Sequence, residues 1–362
     1  MKKRLYLWTA AALLAAVVLY PKQAAAISAQ KAILMDGQTG RVLYARRANQ
    51  RSLIASTTKI MTALLICENY NVLEQISVPP EAVGVEGSSM YLQSGERMAI
   101  QELLYGLMLS SGNDAAVALA VYAAGSVEAF AAMMNEKAKA LGMTDSHFVN
   151  PHGLDAPEHY STAEDLAVLA AYAMQNPIFA QIVSTRQVRV GERYLTNHNR
   201  LLWQVEGANG VKTGYTKAAG RILVSGAKRH GRQLICVTID DGNDWADHAT
   251  LYQQGFAQFS ETTLVSAGDY MGTLAVFGGE ASQVNILAAE DFTYATAPGE
   301  KVSICLPPKE FVYAPVAENA SAGIAYVCID GKAVGQIGVY YETTVLRKLE
   351  EKKNLWQRWF GG

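Results

Sequence analysis

The chain has 362 residues, half of them apolar and 18% charged, and a formal net charge of −2 at pH 7. That composition excludes a disordered or collagen-like chain. The charge argues against a nucleic-acid-binding protein, which normally presents a strongly basic face. At about 150 residues per domain, the length allows roughly two domains with a sizeable core.

Residues 1–26 carry the features of a secretory signal in the expected order. Three basic residues precede the apolar stretch from Leu5 to Tyr20, and Ala24-Ala25-Ala26 supplies a small-residue cleavage site. The apolar stretch is shorter than the roughly 20 residues needed to span a bilayer. We therefore expect an exported protein, either cleaved after Ala26 or held by an uncleaved N-terminal anchor. Cleavage would remove four basic residues and take the formal charge from −2 to −6.

Residues 27–262 alternate between strand and helix patterns and predict an α+β domain. Apolar runs on both sides of residues 36–40 indicate one β-hairpin, and runs on both sides of residues 228–231 indicate another. Strands at both ends of a helical middle favour an antiparallel sheet that is closed by its first and last segments, with a helical subdomain. The predicted helices are 57–68, 101–109, 114–124, 127–141 and 249–259.

Residues 263–341 change to short alternating apolar runs separated by turn residues. This pattern predicts a small β-rich, β-sandwich-like second domain, with no helix longer than one turn after residue 268. The predicted strands are 274–277, 284–287, 292–295, 301–306, 324–329 and 333–340.

Residues 342–362 combine large apolar residues at helical spacing with five basic residues. The segment has a formal charge of +2, whereas residues 27–341 carry −8. Aromatic rings settle at the level of lipid headgroups, and basic side chains attract anionic lipids. We therefore expect an amphipathic helix on the outer face of the cytoplasmic membrane; a terminal helix docked on its own protein is the alternative. The apolar residues are Leu346, Leu349, Trp356, Trp359 and Phe360.

Four cysteines are too few for a disulfide-stapled scaffold. Cys67 and Cys236 lie in apolar runs and are expected to be buried thiols. Cys305 and Cys328 are close enough in sequence to form one bridge in an exported protein, and a pair of buried free thiols is an equal alternative. No recognisable metal-binding spacing appears, so neither a metal nor a cofactor is expected.

Three pairs fit the pattern Ser-x-x-Lys, and only Ser56 and Lys59 open a predicted helix, where they share a face. Ser56 alone would be an ordinary helix N-cap. Lys59 begins a helix that is apolar nearly all round, where a charged amine is costly unless it has partners or loses its proton. A neutral amine can take the proton of a serine hydroxyl. The other pairs, on or leading into predicted strands, are Ser28–Lys31 and Ser225–Lys228.

Two further polar tripeptides occur once each. Ser111-Gly112-Asn113 separates two apolar helices and is either a cap and turn or a set of hydrogen-bond donors aimed into a cleft. Lys212-Thr213-Gly214 introduces the last strand pair. Its lysine and threonine suit a carboxylate, and its glycine allows another backbone to approach closely. Taken alone, each tripeptide would be an ordinary turn.

These three motifs, in this order and behind an export signal, resemble those of the penicillin-recognising serine acyl-transferases. Within that group the chain looks like the low-molecular-mass D-alanyl-D-alanine carboxypeptidases of peptidase family S11. The resemblance implies a β-lactamase/transpeptidase-like catalytic domain, a β-rich domain and a C-terminal amphipathic anchor. It rests on residues 110–115, 152–155, 161–163 and 212–216.

The resemblance also implies a mechanism on a peptidoglycan stem peptide that ends in D-Ala-D-Ala. Ser56 would attack the penultimate D-Ala carbonyl while Lys59 accepts its proton, and β-lactams would be covalent inhibitors. Ser111 and Asn113 would orient the substrate and protonate the departing D-Ala. The implied substrate-binding residues are Lys212 and Thr213 for the terminal carboxylate, Gly214, and Tyr215, whose N–H would join that of Ser56 in an oxyanion hole.

Two features depart from the family pattern. Many members have histidine where this chain has Tyr215, and many place an arginine after the last sheet strand, where residues 240–248 contain none. Two other functions also fit the motifs. One is a serine β-lactamase, against which stand the second domain, the tail and the lack of a clear Glu-x-x-x-Leu-Asn motif. The other is a wall-binding protein that keeps the fold without turnover.

Overall fold

The computed structural model describes residues 27–306 and 311–349. The predicted signal, residues 1–26, lies outside the described residues. The chain divides into two compact units between Gly255 and Phe256.

The first unit contains nine strands in its described part. They are β1 (Lys31–Asp36), β2 (Val42–Arg46), β3 (Gln75–Ser77), β4 (Arg97–Ala99), β5 (Gln187–Val190), β6 (Arg193–Thr196), β7 (Ala208–Thr216), β8 (Gly220–Arg229) and β9 (Arg232–Ile239). Five of them form an antiparallel sheet in the order β2-β1-β9-β8-β7. The first strand pairs with the last, with Ile33 opposite Val237. The predicted closure of the sheet by its first and last segments is confirmed.

Eight α-helices begin in the described part of the first unit, and the first six contribute buried side chains to one apolar core. They are α1 (Lys59–Asn69), α2 (Ile100–Leu109), α3 (Asn113–Ala124), α4 (Val127–Ala140), α5 (Ala163–Ala173), α6 (Pro177–Ser184), α7 (Leu201–Gln204) and α8 (Asp244–Gln258). The five predicted helices are present. Helices α5 and α6 were not predicted, although Thr162 and Asn176 cap them with side-chain oxygens.

Helix α1 lies at the centre of the first unit, and every side chain from Lys59 to Cys67 is buried. A short 3-10 helix, Ala55–Thr58, precedes it. Ser56 therefore lies inside a helical turn and makes no capping hydrogen bond, so the interpretation of Ser56 as an ordinary N-cap is wrong.

Within the described ranges, no single helix has both the length and the apolar character needed to span a membrane. The pairs α3–α4 and α5–α6 meet those criteria only when each is counted as one segment, across bends of 84° and 109°.

The second unit is built from strands. They are β10 (Ser260–Val265), β11 (Tyr270–Phe277), β12 (Gln283–Ala288), β13 (Phe292–Thr296), β14 (Val302–Cys305), β15 (Phe311–Tyr313), β16 (Ser321–Ile329) and β17 (Lys332–Tyr341). Six of these form one sheet in the order β14-β16-β17-β12-β11-β15, and β10 pairs with β13. The β-rich second domain is confirmed. Strand β10 was missed because its first four side chains are polar and exposed, and it crosses the predicted domain boundary at residue 262.

The described part of the tail, residues 342–349, forms two isolated β-bridges and no helix. Val345 is buried and exchanges backbone hydrogen bonds of 3.0 Å with Val316, and Arg347 bridges to Gly279. These pairings compete with helix formation, so the predicted amphipathic helix does not include residues 342–349. Residues 350–362, which carry its aromatic residues, lie outside the described part.

The four cysteines are free thiols. Cys67 and Cys236 are buried, as predicted, and burial raises the pKa of Cys67 to about 12. Cys328 is buried but Cys305 is exposed, so the alternative of two buried thiols is wrong for Cys305. Their Sγ atoms lie 3.0 Å apart.

Candidate active site

Ser56 and Lys59 are adjacent, as their spacing predicts. The Nζ atom of Lys59 lies 3.0 Å from the Oγ atom of Ser56. The residue before the serine, Ala55, has a positive φ of 45°, a conformation that costs a non-glycine residue energy and is common at functional sites. The 3-10 helix thus holds the hydroxyl of Ser56 against the first residue of α1.

The Lys59 amine has two other partners, and both are oxygen atoms that can only accept hydrogen bonds. Asn113 Oδ1 and the backbone carbonyl oxygen of His152 each lie 2.6 Å from Nζ. A neutral amine has two N–H groups and one lone pair. If the two N–H groups bond these oxygens, the lone pair is left for the Ser56 hydroxyl. The geometry therefore suits proton transfer from Ser56 to Lys59.

Electrostatics favour the neutral form of this amine. Lys59 is completely buried, and burial is the main cause that holds its pKa well below the usual value for lysine. The charge of Lys212 lowers the same pKa further, while the carboxylate of Asp114 opposes the shift. Burial also lowers the pKa of Lys212, to about 7.

The turn Ser111-Gly112-Asn113 joins α2 to α3 and also faces the cavity. Asn113 is buried, and its backbone N–H bonds the Ser88 carbonyl oxygen at 2.7 Å while its side-chain amide bonds that of Glu86. Ser111 is buried with a φ of 62° and lines the cavity. This segment is therefore both a turn between two helices and part of the cavity wall, so the two alternatives for it are compatible.

The carboxylate of Asp114 holds the loop that faces this turn. It accepts hydrogen bonds from the backbone N–H groups of Met90 and Leu92, at 2.9 and 3.1 Å, and from the hydroxyl of Ser89 at 2.6 Å. Buried and bonded in this way, Asp114 fixes the loop that binds Asn113.

Lys212, Thr213 and Gly214 lie on β7, the edge strand of the main sheet. A methyl group on Gly214 would lie 3.2 Å from the Ile54 carbonyl oxygen and 3.3 Å from the Ser56 nitrogen. Glycine therefore lets β7 approach the 3-10 helix. Lys212 is buried, and its Nζ atom bonds the Thr213 carbonyl oxygen at 3.1 Å.

One cavity of about 650 Å³ unites the three motifs. Ser56, Ser111, Thr213, Gly214 and Tyr215 line it, and Tyr215 is largely exposed. Buried Lys59 and Asn113 reach it through their contacts with Ser56 and the inter-helix turn. The remaining lining residues are Ser88, Thr196, Asn197, His198, Arg200, Trp203, Arg221, Ile222, Asp244 and Trp245. Five of the eight predicted site residues therefore line one cavity. Lys59, Asn113 and Lys212 are buried and do not line it, and Lys212 contacts the carbonyl oxygen of the lining residue Thr213.

Arg221 also lines this cavity, although the sequence pattern does not indicate it as a site residue. Arg221 lies opposite Tyr215 in the β7–β8 pair, and its Nη2 group bonds both carboxylate oxygens of Asp244 at 2.8 Å. Its guanidinium carbon lies 5.6 Å from the centre of the Trp245 ring. The tight turn between Thr216 and Gly220 sets this register, so extending the hairpin pairing from that turn would have found Arg221.

The site also includes a backbone atom that the sequence does not predict, the His152 carbonyl oxygen that accepts a hydrogen bond from Lys59. The loop that contains His152 approaches the 3-10 helix Ala55–Thr58 most closely at Gly153. There φ is 91°, and a methyl group would lie 1.9 Å from the Ala55 carbonyl oxygen. Burial and the charge of Lys59 lower the pKa of His152 to about 4. Within residues 27–306 and 311–349, no group of three or more His, Cys, Asp or Glu side chains is placed to hold a metal ion.

Two family profiles match the chain. The peptidase S11 profile, D-alanyl-D-alanine carboxypeptidase, matches residues 19–243. The profile of the C-terminal domain of penicillin-binding protein 5 matches residues 259–347.

Individual proteins are similar over most of their length. D-alanyl-D-alanine carboxypeptidase DacF of Bacillus subtilis is 31% identical over 324 residues, which span 85% of this chain and 83% of the relative. DacC of Escherichia coli, also named a D-alanyl-D-alanine carboxypeptidase, is 32% identical and covers 87% of this chain and 83% of the relative. The crystal structure of penicillin binding protein 5 from Haemophilus influenzae has a TM-score of 0.77 and 28% identity, covering 91% of this chain and 100% of that one.

Proposed function

The chain belongs to the D-alanyl-D-alanine carboxypeptidase family, peptidase family S11, and we propose that it removes the terminal D-alanine of peptidoglycan stem peptides through an acyl-enzyme on Ser56. The observation that carries the assignment of residues is the buried amine of Lys59, 3.0 Å from the Ser56 hydroxyl and bonded on its other sides to two carbonyl oxygens. That arrangement supplies a nucleophile and its base.

In the acylation step, the Ser56 oxygen attacks the carbonyl carbon of the penultimate D-Ala, and its proton passes to the lone pair of Lys59. The negative oxygen that forms faces the backbone N–H groups of Ser56 and Tyr215, each a donor typically worth about 3 kcal/mol. Collapse breaks the peptide bond, and the departing D-Ala amine takes the proton back from Lys59 through the Ser111 hydroxyl, while Asn113 orients the substrate. Water then attacks the ester, releases the shortened peptide and restores the serine hydroxyl.

The terminal carboxylate of the substrate is held by Lys212, Thr213 and Arg221 in this proposal. Arg221 lines the same cavity as Thr213, on the strand next to the Lys-Thr-Gly motif. Both of its hydrogen bonds to Asp244 come from Nη2, and a guanidinium has three further N–H donors for a second carboxylate. Arg221 would thus supply the charge for which residues 240–248 contain no arginine.

The place of action in this proposal is the outer face of the cytoplasmic membrane. The charge and apolar pattern of residues 1–26 supports export, and the aromatic and basic residues between 342 and 362 support attachment to the membrane surface. β-Lactams, which resemble the D-Ala-D-Ala end in presenting an acylating carbonyl and a carboxylate, are expected to acylate Ser56 and to be released slowly.

The test is release of D-alanine from diacetyl-Lys-D-Ala-D-Ala, together with labelling by a fluorescent penicillin. Ser56→Ala is expected to abolish both. Ser28→Ala, which removes the serine of another Ser-x-x-Lys pair, is the control and is expected to keep both. Rapid penicillin hydrolysis with the peptide left intact would show a β-lactamase instead. If the folded wild type neither releases D-alanine nor is labelled by penicillin, the protein is a non-catalytic wall-binding protein.

A further inference from the structure

Three aromatic side chains are exposed side by side on the second unit. Phe277 is 54% exposed, Phe311 43% and Tyr313 72%. The ring centres of Phe277 and Phe311 lie 5.1 Å apart, those of Phe311 and Tyr313 5.5 Å, and those of Phe277 and Tyr313 6.3 Å. Three rings in mutual contact yet open to water form an apolar patch of the kind that marks an interaction surface. We call these three residues the aromatic patch.

The strand register explains why the rings meet. Strand β15 is the edge strand of the six-stranded sheet and runs parallel to β11. Phe277 is paired with Tyr313, and Phe311 precedes Tyr313 by two residues, so the three side chains project from the same face. The patch therefore lies at the end of β11, where this strand leaves the sheet.

The C-terminal segment of the chain passes the same place. The backbone N–H of Lys348 bonds the carbonyl oxygen of Gly278 at 2.8 Å, and Arg347 bridges to Gly279. Gly278 directly follows Phe277, so two basic residues are anchored next to the patch. The flanking side chains Leu346 and Leu349 are 57% and 87% exposed. Apolar and basic groups are thus combined at one end of the second unit.

The sequence that continues from this point has the same character. Residues 350–362 contain two tryptophans, a phenylalanine and three basic side chains. Aromatic rings beside basic groups suit the headgroup region of an anionic bilayer, because the rings enter the boundary of the acyl chains while the cations meet lipid phosphates. The aromatic patch extends this composition from the tail onto the folded unit.

We propose that the aromatic patch is a second membrane contact, which inserts into the headgroup region of an anionic bilayer beside the tail. The inference rests on the proposed location at the membrane surface. It adds that attachment does not depend on residues 350–362 alone, and that the membrane meets the folded second unit at the end of β11 and β15. The free energies of two linked contacts combine, so each contact multiplies the partition coefficient.

The experiment is co-flotation of the chain 27–362 with vesicles of phosphatidylcholine and phosphatidylglycerol at 3:1. The patch variant carries Phe277→Ser, Phe311→Ser and Tyr313→Ser, and is expected to lower the partition coefficient by about tenfold or more, since each aromatic side chain buries considerable apolar area. Tyr270→Ser is the matched control, because Tyr270 is 61% exposed at the other end of β11. It is expected to leave partitioning unchanged. D-alanine release in solution should be equal in all three proteins.

A tail variant separates this inference from the proposed location. It carries Trp356→Ser, Trp359→Ser and Phe360→Ser in the full chain. If the tail variant loses binding and the patch variant keeps it, the location stands and the inference is wrong. If the wild type does not float, both fail.

Insertion also has a direct signal. In Tyr313→Trp, doxyl-labelled lipid in anionic vesicles is expected to quench more tryptophan fluorescence than in the unsubstituted chain. The difference between the two proteins reports on position 313. A concentration-dependent dimer that is lost in the patch variant, without a change in lipid binding, would assign the patch to a second copy of the chain and overturn the proposal.

Discussion

Lys212 and Lys59 are both buried, and the charge on Lys212 lowers the pKa of the Lys59 amine. The proposed reaction requires the two lysines to be in opposite protonation states. Lys59 must be neutral to accept the Ser56 proton, and Lys212 must be charged to attract a carboxylate. Burial gives Lys212 a pKa of about 7, so its charge is lost as the pH rises through that value in the free enzyme.

The first prediction concerns the alkaline side of the pH profile. In the wild type, kcat/KM for diacetyl-Lys-D-Ala-D-Ala should fall as the pH rises above about 7, because Lys212 loses its proton. In Lys212→Arg the guanidinium stays charged, so the decrease should disappear even if the maximal rate is lower. The measurement is kcat/KM from pH 5 to 10. A decrease that persists in the variant would assign it to another group.

The second prediction concerns Asn113, which accepts a hydrogen bond from Lys59 and donates one to Glu86. Asn113→Ala removes an oxygen that orients the lone pair of Lys59 toward Ser56, and kcat should fall roughly 100-fold, as for other groups that position a proton transfer. Asn113→Asp keeps the oxygen but adds a charge that favours the protonated amine, so its acid limb should move to higher pH. An unchanged acylation rate with penicillin in Asn113→Ala would contradict this role.

The third prediction tests Arg221 as a carboxylate ligand. Arg221→Gln should raise KM for a substrate with a free terminal carboxylate by about 10- to 100-fold, the equivalent of one charge-assisted hydrogen bond. The corresponding C-terminal amide should be turned over equally by both proteins. Arg200→Gln is the matched control, because Arg200 also lines the cavity. Equal losses on acid and amide would mean that Arg221 acts only by holding Asp244.

The sequence predicts the chemistry of the site better than its surroundings. The apolar run after Ser56 is enough to predict a buried Lys59, because no residue in the first two turns of α1 carries a negative charge that could pair with the amine. The contact of Lys59 with Asn113 joins residues 54 positions apart, so helix periodicity alone cannot reveal it. The position of Arg221 at the site follows from the register of β7 and β8, which the local sequence pattern does not give.

Errors in the predicted fold have equally specific causes. Strand β10 shows four exposed polar side chains, a pattern typical of a loop, and becomes a strand only by pairing with β13. At the tail, the apolar residues Val345 and Leu346 fit a helix as well as a strand, and the pairing of Val345 with Val316 decides for the extended form. Tertiary pairing outweighs local pattern in both segments.

The fourth prediction concerns Gly153, which packs against the 3-10 helix that contains Ser56. Gly153→Ala places a methyl group 1.9 Å from the Ala55 carbonyl oxygen at a φ of 91°, so the 3-10 helix has to move. Gly125→Ala is the control, since its φ of 80° carries similar strain but nothing lies within 4 Å of the new methyl group. The control should lose about 1–2 kcal/mol of unfolding free energy. Gly153→Ala should lose clearly more and also acylate slowly; urea unfolding and penicillin labelling measure the two effects.

The last prediction concerns acid stability and the buried side chain of His248. His248 Nδ1 lies 2.6 Å from the Ser225 hydroxyl, and Nε2 lies 3.0 Å from that of Thr238. Burial lowers the pKa of His248 from the ordinary 6.5 to about 3. Between these values the unfolded chain binds a proton that the folded chain does not, so this histidine makes the free energy of unfolding decrease as the pH falls below 6.5.

The expected slope is about 1.4 kcal/mol per pH unit from this one proton. His248→Gln removes the proton uptake, so urea unfolding between pH 4.5 and 6.5 should show a slope smaller by that amount, although the variant is less stable near pH 7. Ser225→Ala removes a hydrogen bond but no titrating group, and should lower stability equally across the range. If His248→Gln keeps the wild-type slope, the acid sensitivity comes from other groups, of which His152 and His159, each with a pKa lowered to about 4, are the next to replace.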